Sequence, residues 1–351
     1  MTSPFTPELL ETAFTGLIKS RQHFPADADI WHLRFHWNTQ KHRLLRQLNA
    51  GRYVLSPLQV ITPQRGKSYA LWSSPDALVL RCLTILLQDI LPTHSRCEHI
   101  AGHEGGKKSV QRVHQRLRRQ PRQGVCRTDI KGYYAHIDKR ILYQQVRHHV
   151  QHPVLLGLVW QFLHYSVEDG GTFHTPKKGM ARSSSLSPLL GAFHLYDVDV
   201  HFANQPHLYY ARYMDDFIIF AKTRWHLRKA VRELNAFFAH YGFRQHPDKT
   251  FIGPARKGFD WMGFWFTHEG CQSVAPRAVA NHLTTLRRLY ERTRHLPVQR
   301  QAERVAAYVR RWRQWGAMPK PPILTSWRDS SNTLLSPPKA VSRTRARKTQ
   351  R

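Results

Sequence analysis

Two adjacent acidic residues, Asp215 and Asp216, lie within the segment LYYARYMDDFIIFAK at residues 208–222. β-Branched and aromatic residues fill the runs on both sides of this pair, and the pattern predicts a β-hairpin with the carboxylates at its turn. Neighbouring carboxylates repel each other, whereas carboxylate oxygens are the ligands that Mg²⁺ prefers. Aspartate is also common in ordinary solvated turns. The segment alone therefore allows two interpretations, a metal site or a solvated turn.

A third carboxylate, Asp129, ends a second predicted strand at residues 125–130, after which Gly132 turns the chain. Functional sites in open sheets gather at the carboxyl ends of strands. Phosphoryl transfer depends on positioning and charge stabilisation. Two Mg²⁺ ions held by carboxylates from separate strands can activate a 3′-hydroxyl and stabilise a leaving pyrophosphate. Asp129 would complete such a set, whereas Asp138 is expected to cap the following helix.

The charge balance indicates a polyanionic partner. The 351 residues include 54 Lys and Arg against 23 Asp and Glu, a net charge of +31. Nucleic acid is the natural partner for such a field, with binding that weakens steeply in salt. The 41% hydrophobic content is sufficient for a folded core. No uninterrupted apolar run has the length of a membrane span, and we expect no membrane association.

The amino terminus lacks a signal-peptide pattern, and we expect a cytoplasmic protein. The four cysteines of the chain are scattered and form no CxxC motif, which favours reduced thiols over a disulfide framework or a zinc site. The densest histidine group, His148, His149 and His152, is expected to lie at the surface or in a groove. Asp197 and Asp199 are expected to be ordinary polar residues near a helix end.

The order of the predicted elements favours an α+β fold over alternating βαβ units. A strand ending in Asp129 is followed by a long helical insert, the acidic hairpin and a basic helical end. An amphipathic helix is also predicted at residues 77–91, between Pro75 and Pro92. Glycines and Lys107-Lys108 mark the start of a basic helix, which is either a phosphate-binding element or a solvated surface helix.

At this point the chain resembles reverse transcriptases. TDIKGYY (residues 128–134) resembles their motif A, and YMDD (213–216) resembles motif C. GMARSSSLSP occupies the place of motif B, HPDKT resembles motif D, and DWMGF resembles the primer grip. The similarity extends over roughly residues 56–315, with the motifs in the family order. The bacterial enzymes of group II introns, retrons and defence systems are the most similar kind.

The resemblance implies a right-hand polymerase with an antiparallel palm sheet. It assigns fingers and palm to residues 56–270 and a helical thumb to 271–318. The apolar spacing predicts a helical extension at 1–55, and the Pro/Ser/Arg-rich composition without apolar periodicity predicts a basic disordered tail at 319–351. The extension would be either a packed accessory pair of helices or an arm that grips template. No maturase-like or endonuclease segment is recognised after the thumb.

The resemblance also implies residue roles. Asp129, Asp215, Asp216 and Lys249 would be catalytic, with Lys249 assisting the leaving pyrophosphate. The implied cofactor is a pair of Mg²⁺ ions, with Mn²⁺ as a substitute. Tyr134 matches the steric gate that excludes a ribose 2′-hydroxyl and selects deoxynucleotides. The full sets are, for metal, Asp129, Ile130, Asp215 and Asp216; for nucleotide, Tyr134, Lys107, Lys108 and Arg182; for primer grip, Trp261, Met262 and Gly263.

Two departures from the family pattern leave alternatives open. Arg182-Ser183 stands where motif B usually carries glycine, and the arginine would either crowd the nucleotide pocket or contact template phosphate. Glu104 stands where the family has a triphosphate-binding arginine, and Lys107 and Lys108 would substitute for that arginine.

The expected function is RNA-directed DNA synthesis from an RNA template, a DNA or RNA primer and dNTPs. The alternative is a catalytically weak relative that acts as an RNA-binding scaffold. A basic nucleic-acid-binding protein with chance motifs is disfavoured by the ordered motif set.

Overall fold

The computed structural model describes residues 4–62, 68–100 and 105–317. The chain divides into two compact units, and the short stretch Gly263–Trp265 belongs to the second. The first unit contains the rest of the chain through Gly270, and the second continues from Cys271. The predicted tail at 319–351 lies outside the described residues. No helix in the described ranges has both the length and the apolar character to cross a membrane.

The elements alternate irregularly between helix and strand, as an α+β fold requires. Helices of the first unit are α1 (Pro7–Arg21), α2 (Asp29–Phe35), α3 (Trp37–Asn49), α4 (Ser74–Gln88), α5 (Gly105–Arg119), α6 (Tyr133–His136), α7 (Lys139–His149), α8 (Pro153–Leu163), α9 (Leu186–His194), α10 (Tyr196–Ala203) and α11 (Arg224–His240). Strands are β1 (Leu58–Ile61), β2 (Tyr69–Leu71), β3 (Gly124–Asp129), β4 (Val167–Asp169), β5 (Thr172–His174), β6 (Leu208–Tyr213), β7 (Asp216–Ala221), β8 (Phe251–Pro254), β9 (Phe259–Trp261), β10 (Phe264–Thr267) and β11 (Gly270–Val274).

Helix α4 begins earlier than the sequence pattern predicts. Its first residue is Ser74 and its last is Gln88, whereas residues 77–91 were expected. The hydroxyl of Ser73 accepts a hydrogen bond from the Asp76 N–H, and Pro75 lies in the first turn. A serine cap followed by proline fixes a helix start independently of where the apolar periodicity begins. Helices α1 and α2 pack against α4.

Strands β6, β7, β3 and β8 form, in that order, the antiparallel sheet that we call the central sheet. This arrangement confirms the predicted α+β class with an antiparallel sheet. Helices α10 and α11 cover one face, where Phe238 packs against Phe217 at 5.3 Å between ring centroids. On the opposite face, Phe259 lies 5.9 Å from Phe220. A second sheet has the order β2-β1-β4-β5, with β1 parallel to β4.

The second unit contains two long helices, α12 (Pro276–Thr293) and α13 (Val298–Gly316). The rings of His282 and Trp312 stack between these helices at 3.9 Å. Tyr308 also lies within hydrogen-bond distance of His282, at 3.0 Å. Val305 is the buried residue of α13, and most of this helix is solvent-exposed. The two helices α12 and α13 therefore confirm the basic helical segment that was predicted after the acidic hairpin.

Candidate active site

The acidic hairpin is confirmed, and its turn is tightly held. Tyr213 and Asp216 are paired, which leaves Met214 and Asp215 as the two-residue loop. Met214 has a φ of +55°, a left-handed conformation that costs a non-glycine residue roughly 1 kcal/mol or more. Its N–H donates to His99 at 3.0 Å and its carbonyl accepts from Arg212 at 2.9 Å. These bonds stabilise the strained turn that presents Asp215.

Strand pairing brings Asp129 to the same end of the central sheet as the acidic pair. Asp129 lies directly opposite Asp216, and the Ile130 N–H donates to the Asp215 carbonyl at 3.1 Å. Directly opposed residues of an antiparallel pair point to the same face. Burial, and then the charge of Asp129, raises the pKa of Asp215. Burial raises the pKa of Asp216 to about 6, against the opposing effect of Arg127. The three carboxyl groups therefore share one electrostatic environment.

Two cations hold these carboxylates. The Lys249 ammonium donates to Asp129 Oδ2 at 2.6 Å, and it reaches there from a short 3₁₀ turn before β8. Arg127 donates to Asp216 Oδ1 at 3.1 Å and lies 3.4 Å from Asp260. Arg127 was missed by the sequence analysis, although its position two residues before Asp129 puts both side chains on one face of β3.

The donor set suits a hard divalent cation. Asp129 offers carboxylate oxygens from the end of β3 and Asp215 offers them from the hairpin turn, and the electrostatic effect of Asp129 on Asp215 is one that a cation would relieve. Arg127 engages Asp216. Across the described ranges, no three His, Cys, Asp or Glu side chains converge where they could hold a metal ion. The four-residue metal set remains a prediction, with Asp129 and Asp215 as its core.

Tyr134 and Arg182 come together beside Asp215. The Arg182 guanidinium carbon lies 5.3 Å from the centroid of the Tyr134 ring. Tyr134 is buried, and burial followed by the charge of Asp215 raises its pKa to about 12. Gly179 has a φ of +80°, and a Cβ there would lie 2.7 Å from the Tyr134 carbonyl oxygen. This contact explains why the motif B loop needs glycine at that position.

The two predicted phosphate-binding lysines, Lys107 and Lys108, are exposed in the first turn of α5. A Cβ at the neighbouring Gly106 would lie 3.6 Å from the Met262 sulfur and 3.9 Å from the Tyr213 ring. Helix α5 therefore begins beside the acidic hairpin. Glu104 lies outside the described residues.

The predicted primer-grip residues fall at the division between the two units. Trp261 is buried and donates from its indole nitrogen to Ser109 at 2.9 Å. Met262 has a φ of +49°, a strained backbone for a residue with a side chain. Gly263 belongs to the second unit, where a Cβ would lie 2.7 Å from Trp315. Their role toward a primer remains a prediction.

The expectation for Asp199 was wrong. Its side chain is fully buried, and it accepts hydrogen bonds from the Arg212 Nε at 2.7 Å and the Tyr210 hydroxyl at 2.6 Å. Arg212 also donates to the carbonyls of Ala192 in α9 and Met214 in the hairpin turn, each at 2.9 Å. An uncompensated buried charge is costly, which explains the full set of partners. The signal in the sequence was Arg212 itself, an arginine within a predicted apolar strand.

Comparisons with known proteins found similarity over parts of the chain. Protein YkfC of Escherichia coli (strain K12) is 22% identical over 173 residues, which cover 40% of this chain and 45% of that protein. A solved structure of telomerase from Candida albicans, in complex with a fragment of telomeric RNA, is 13% identical with a TM-score of 0.47. The match covers 73% of this chain and 55% of the telomerase chain. The chain thus spans about half the length of these matched proteins.

A family match decides the assignment. The family model for reverse transcriptase (RNA-dependent DNA polymerase) matches residues 71–266, more than half of the chain. This range contains Asp129, Tyr134, Arg182, Asp215 and Asp216. It confirms the predicted resemblance and, with it, the polymerase class of the α+β fold. The chain therefore belongs to the reverse transcriptase family.

Proposed function

We propose that the protein is an RNA-directed DNA polymerase that adds deoxynucleotides to a primer 3′-hydroxyl. The observation that carries this proposal is the meeting of Asp129 and Asp215 at one end of the central sheet, joined by the bond from Ile130 N–H to Asp215 O. Asp129 ends β3 and Asp215 lies in the turn between β6 and β7, and the long helical insert separates them along the chain. Phosphoryl transfer needs such paired carboxylates more than any nucleophilic side chain.

Mg²⁺ is the proposed cofactor, with Asp129 and Asp215 as its main ligands and Asp216 and the Ile130 carbonyl as auxiliary ones. When bound, a pair of such ions would favour ionisation of the primer hydroxyl and neutralise charge on the leaving pyrophosphate. The Lys249 ammonium, 2.6 Å from Asp129 and partly exposed, is a positive charge that a phosphate oxygen can attract. Arg127 keeps Asp216 oriented while those groups act.

The nucleotide site in this proposal is formed by Tyr134 and Arg182. The exposed Arg182 guanidinium gives the triphosphate a bidentate partner, and Lys107 and Lys108 supply further charge. The Tyr134 ring excludes a ribose 2′-hydroxyl. In Tyr134→Ala, the preference for dNTPs over rNTPs should fall at least about tenfold. Unchanged sugar selectivity would remove this assignment.

Primer extension on an RNA template tests the proposal. The full chain with Mg²⁺, dNTPs and an annealed primer should extend the primer, whereas Asp215→Asn should reduce the rate about 10³-fold or more. Asp248→Asn is a matched control, because Asp248 is an exposed aspartate next to Lys249. If the wild-type protein incorporates nothing, or Asp215→Asn equals wild type, the polymerase proposal fails.

A second candidate function is an RNA-binding scaffold with little catalysis. The observation that favours it is the Arg182 guanidinium over the Tyr134 ring, because this side chain can occupy space that a nucleotide needs. A scaffold would bind RNA tightly while wild type and Asp215→Asn extend a primer equally poorly. Recovery of synthesis in Arg182→Gly would identify the arginine as the obstruction.

A further inference from the structure

A wide groove lies at the end of the central sheet opposite the acidic hairpin. It is formed where β3 begins and where β7 and β8 end, because Gly124 pairs with both Ala221 and Pro254. Asp129 is at the other end of β3, about 17 Å away at ~3.3 Å per strand residue. The groove has a volume of about 850 Å³. It is therefore a separate site from the carboxylate cluster.

The walls of this basic groove carry positive charge from three different chain segments. None of the described residues that line it is acidic, and its cations are solvent-exposed. The groove cations are the six side chains Arg122, Lys222, Arg224, Arg228, Arg256 and Lys257. Within the described ranges, no ion pair to any of them is found. Convergence of like charge in a concave surface costs free energy unless an anion binds there.

An exposed aromatic residue stands beside these cations. Trp225 follows Arg224 in the first turn of α11, and 66% of its surface is exposed. The Lys229 ammonium lies 5.8 Å from the centroid of the Trp225 ring, and Ile252 in the groove wall is also exposed. Trp225 is not itself a lining residue of the groove, but it adjoins Arg224, which is. An exposed indole next to a basic groove is a platform on which an unpaired base can stack, while the groove cations contact the backbone.

We propose that the basic groove binds unpaired RNA, with the cations on its phosphates and Trp225 stacked on a base. This site goes beyond the polymerase proposal, because RNA binding in the groove requires neither a metal ion nor an incoming dNTP. It gives the protein a hold on RNA at a distance from the point of synthesis. Free polyphosphate shares the anionic chemistry but has no bases, and the experiment separates the two.

Fluorescence anisotropy with the full chain and an unpaired RNA oligonucleotide tests the charges. Arg228→Gln/Arg256→Gln/Lys257→Gln should weaken binding about 10- to 100-fold near 0.1 M salt. The slope of log K against log salt should fall by about 2, as expected for three single-strand phosphate contacts. Arg43→Gln/Arg140→Gln/Arg147→Gln is the matched control, since these cations are equally exposed on α3 and α7. Equal losses in both triple variants would overturn the proposal, because only the general positive field would then be acting.

The aromatic contact has its own test. Trp225→Ala should weaken binding of the same RNA about tenfold, in the range that base stacking supplies. It should leave binding of inorganic polyphosphate unchanged. Phe35→Ala is the control, because Phe35 is an exposed aromatic residue on α2. If Trp225→Ala has no effect while the triple groove variant does, the ligand is a polyanion without bases and the RNA proposal is wrong.

Primer extension separates this proposal from the catalytic one. Asp215→Asn should retain full binding of the unpaired RNA in the groove. The triple groove variant should extend a short primer–template at the wild-type rate when that duplex is saturating. Loss of RNA binding in Asp215→Asn would contradict a separate site.

Discussion

The two faces of the central sheet carry two carboxylate–cation clusters built on opposite principles. On the face of Asp129, the Lys249 and Asp216 side chains remain 32% and 22% exposed. On the other face, Asp199 and Arg212 are both fully buried. The first cluster can exchange its partners with solvent and ligands, whereas the second cannot. We call them the open and the closed cluster.

The difference shows how the same residue types serve reactivity or rigidity. Arg212 in the closed cluster fixes the carbonyl of Met214 and so the turn that presents Asp215. Arg127 in the open cluster is itself buried, but its partner Asp216 is 22% exposed. Breaking a buried pair costs roughly 3–5 kcal/mol, whereas a solvent-accessible pair contributes roughly 0–1 kcal/mol. Substitutions should therefore separate activity from stability.

The largest effect should come from the open cluster and act on activity alone. Asp129→Asn should lower the primer-extension rate about 10³-fold or more, roughly 4 kcal/mol of transition-state stabilisation. The free energy of unfolding in urea should change by less than about 1 kcal/mol, because Lys249, which loses its partner, is 32% exposed and can be solvated instead. Asp138→Asn is the control, since asparagine preserves the cap of α7. A comparable loss of stability and activity in Asp129→Asn would abolish the distinction between the clusters.

The closed cluster should show the reverse pattern. Asp199→Ala leaves the Arg212 guanidinium buried without its carboxylate, and we expect the free energy of unfolding to fall by roughly 3–5 kcal/mol. Asp197→Ala, two residues earlier in α10 and exposed, should change it by less than about 0.5 kcal/mol. Urea denaturation measures both. Equal stability of the two variants would show that the buried pair contributes nothing.

We also expect folding stability to depend on pH through His194, whose protonation is disfavoured by burial and by Arg212 of the closed cluster. Burial, and then the charge of Arg212, lowers the pKa of His194 to about 3, well below the ordinary value of roughly 6.5. Below about pH 6.5 the unfolded state binds a proton that the folded state excludes. Stability is therefore fully present above that pH and falls as the pH is lowered.

Between pH 6.5 and 5 this loss should amount to about 2 kcal/mol. His194→Gln should remove it, which urea unfolding at both pH values would detect as a shallower slope. The exposed His240, in α11, provides the control variant His240→Gln, with the wild-type slope. A wild-type slope in His194→Gln would place the proton uptake elsewhere.

The smallest effect concerns Arg182 at the border of the open cluster. If its guanidinium contacts the triphosphate, Arg182→Gln should raise the KM for dNTPs about five- to tenfold with little change in kcat. Arg140→Gln, an exposed arginine on α7, should leave both constants unchanged. A lower KM or a higher kcat in Arg182→Gln would instead identify the arginine as an obstruction, as the scaffold alternative requires.

Local patterns made the hairpin and the strand of Asp129 predictable. Both are runs of alternating or continuous β-formers with their acidic residues at the ends, and the strand register then brings the ends together. The helix boundaries were less predictable. In α4, the cap formed by Ser73 set the start three residues before the apolar pattern suggested. The carboxylates of the acidic site and Lys249 were found from the sequence, but Arg127 and the contact between Lys249 and Asp129 were not.

The sequence by itself determined the chemistry available to this protein: the motif order, the carboxylates, the aromatic residue at Tyr134 and the excess of positive charge. Only the tertiary structure decided which charges meet. Lys249 contacts Asp129 across 120 residues of chain, and Asp199 reaches Arg212 from a helix onto a strand. Whether a carboxylate is reactive or structural depends on its burial and its partners. Those depend on which elements pack together, and side-chain spacing along the chain does not encode that.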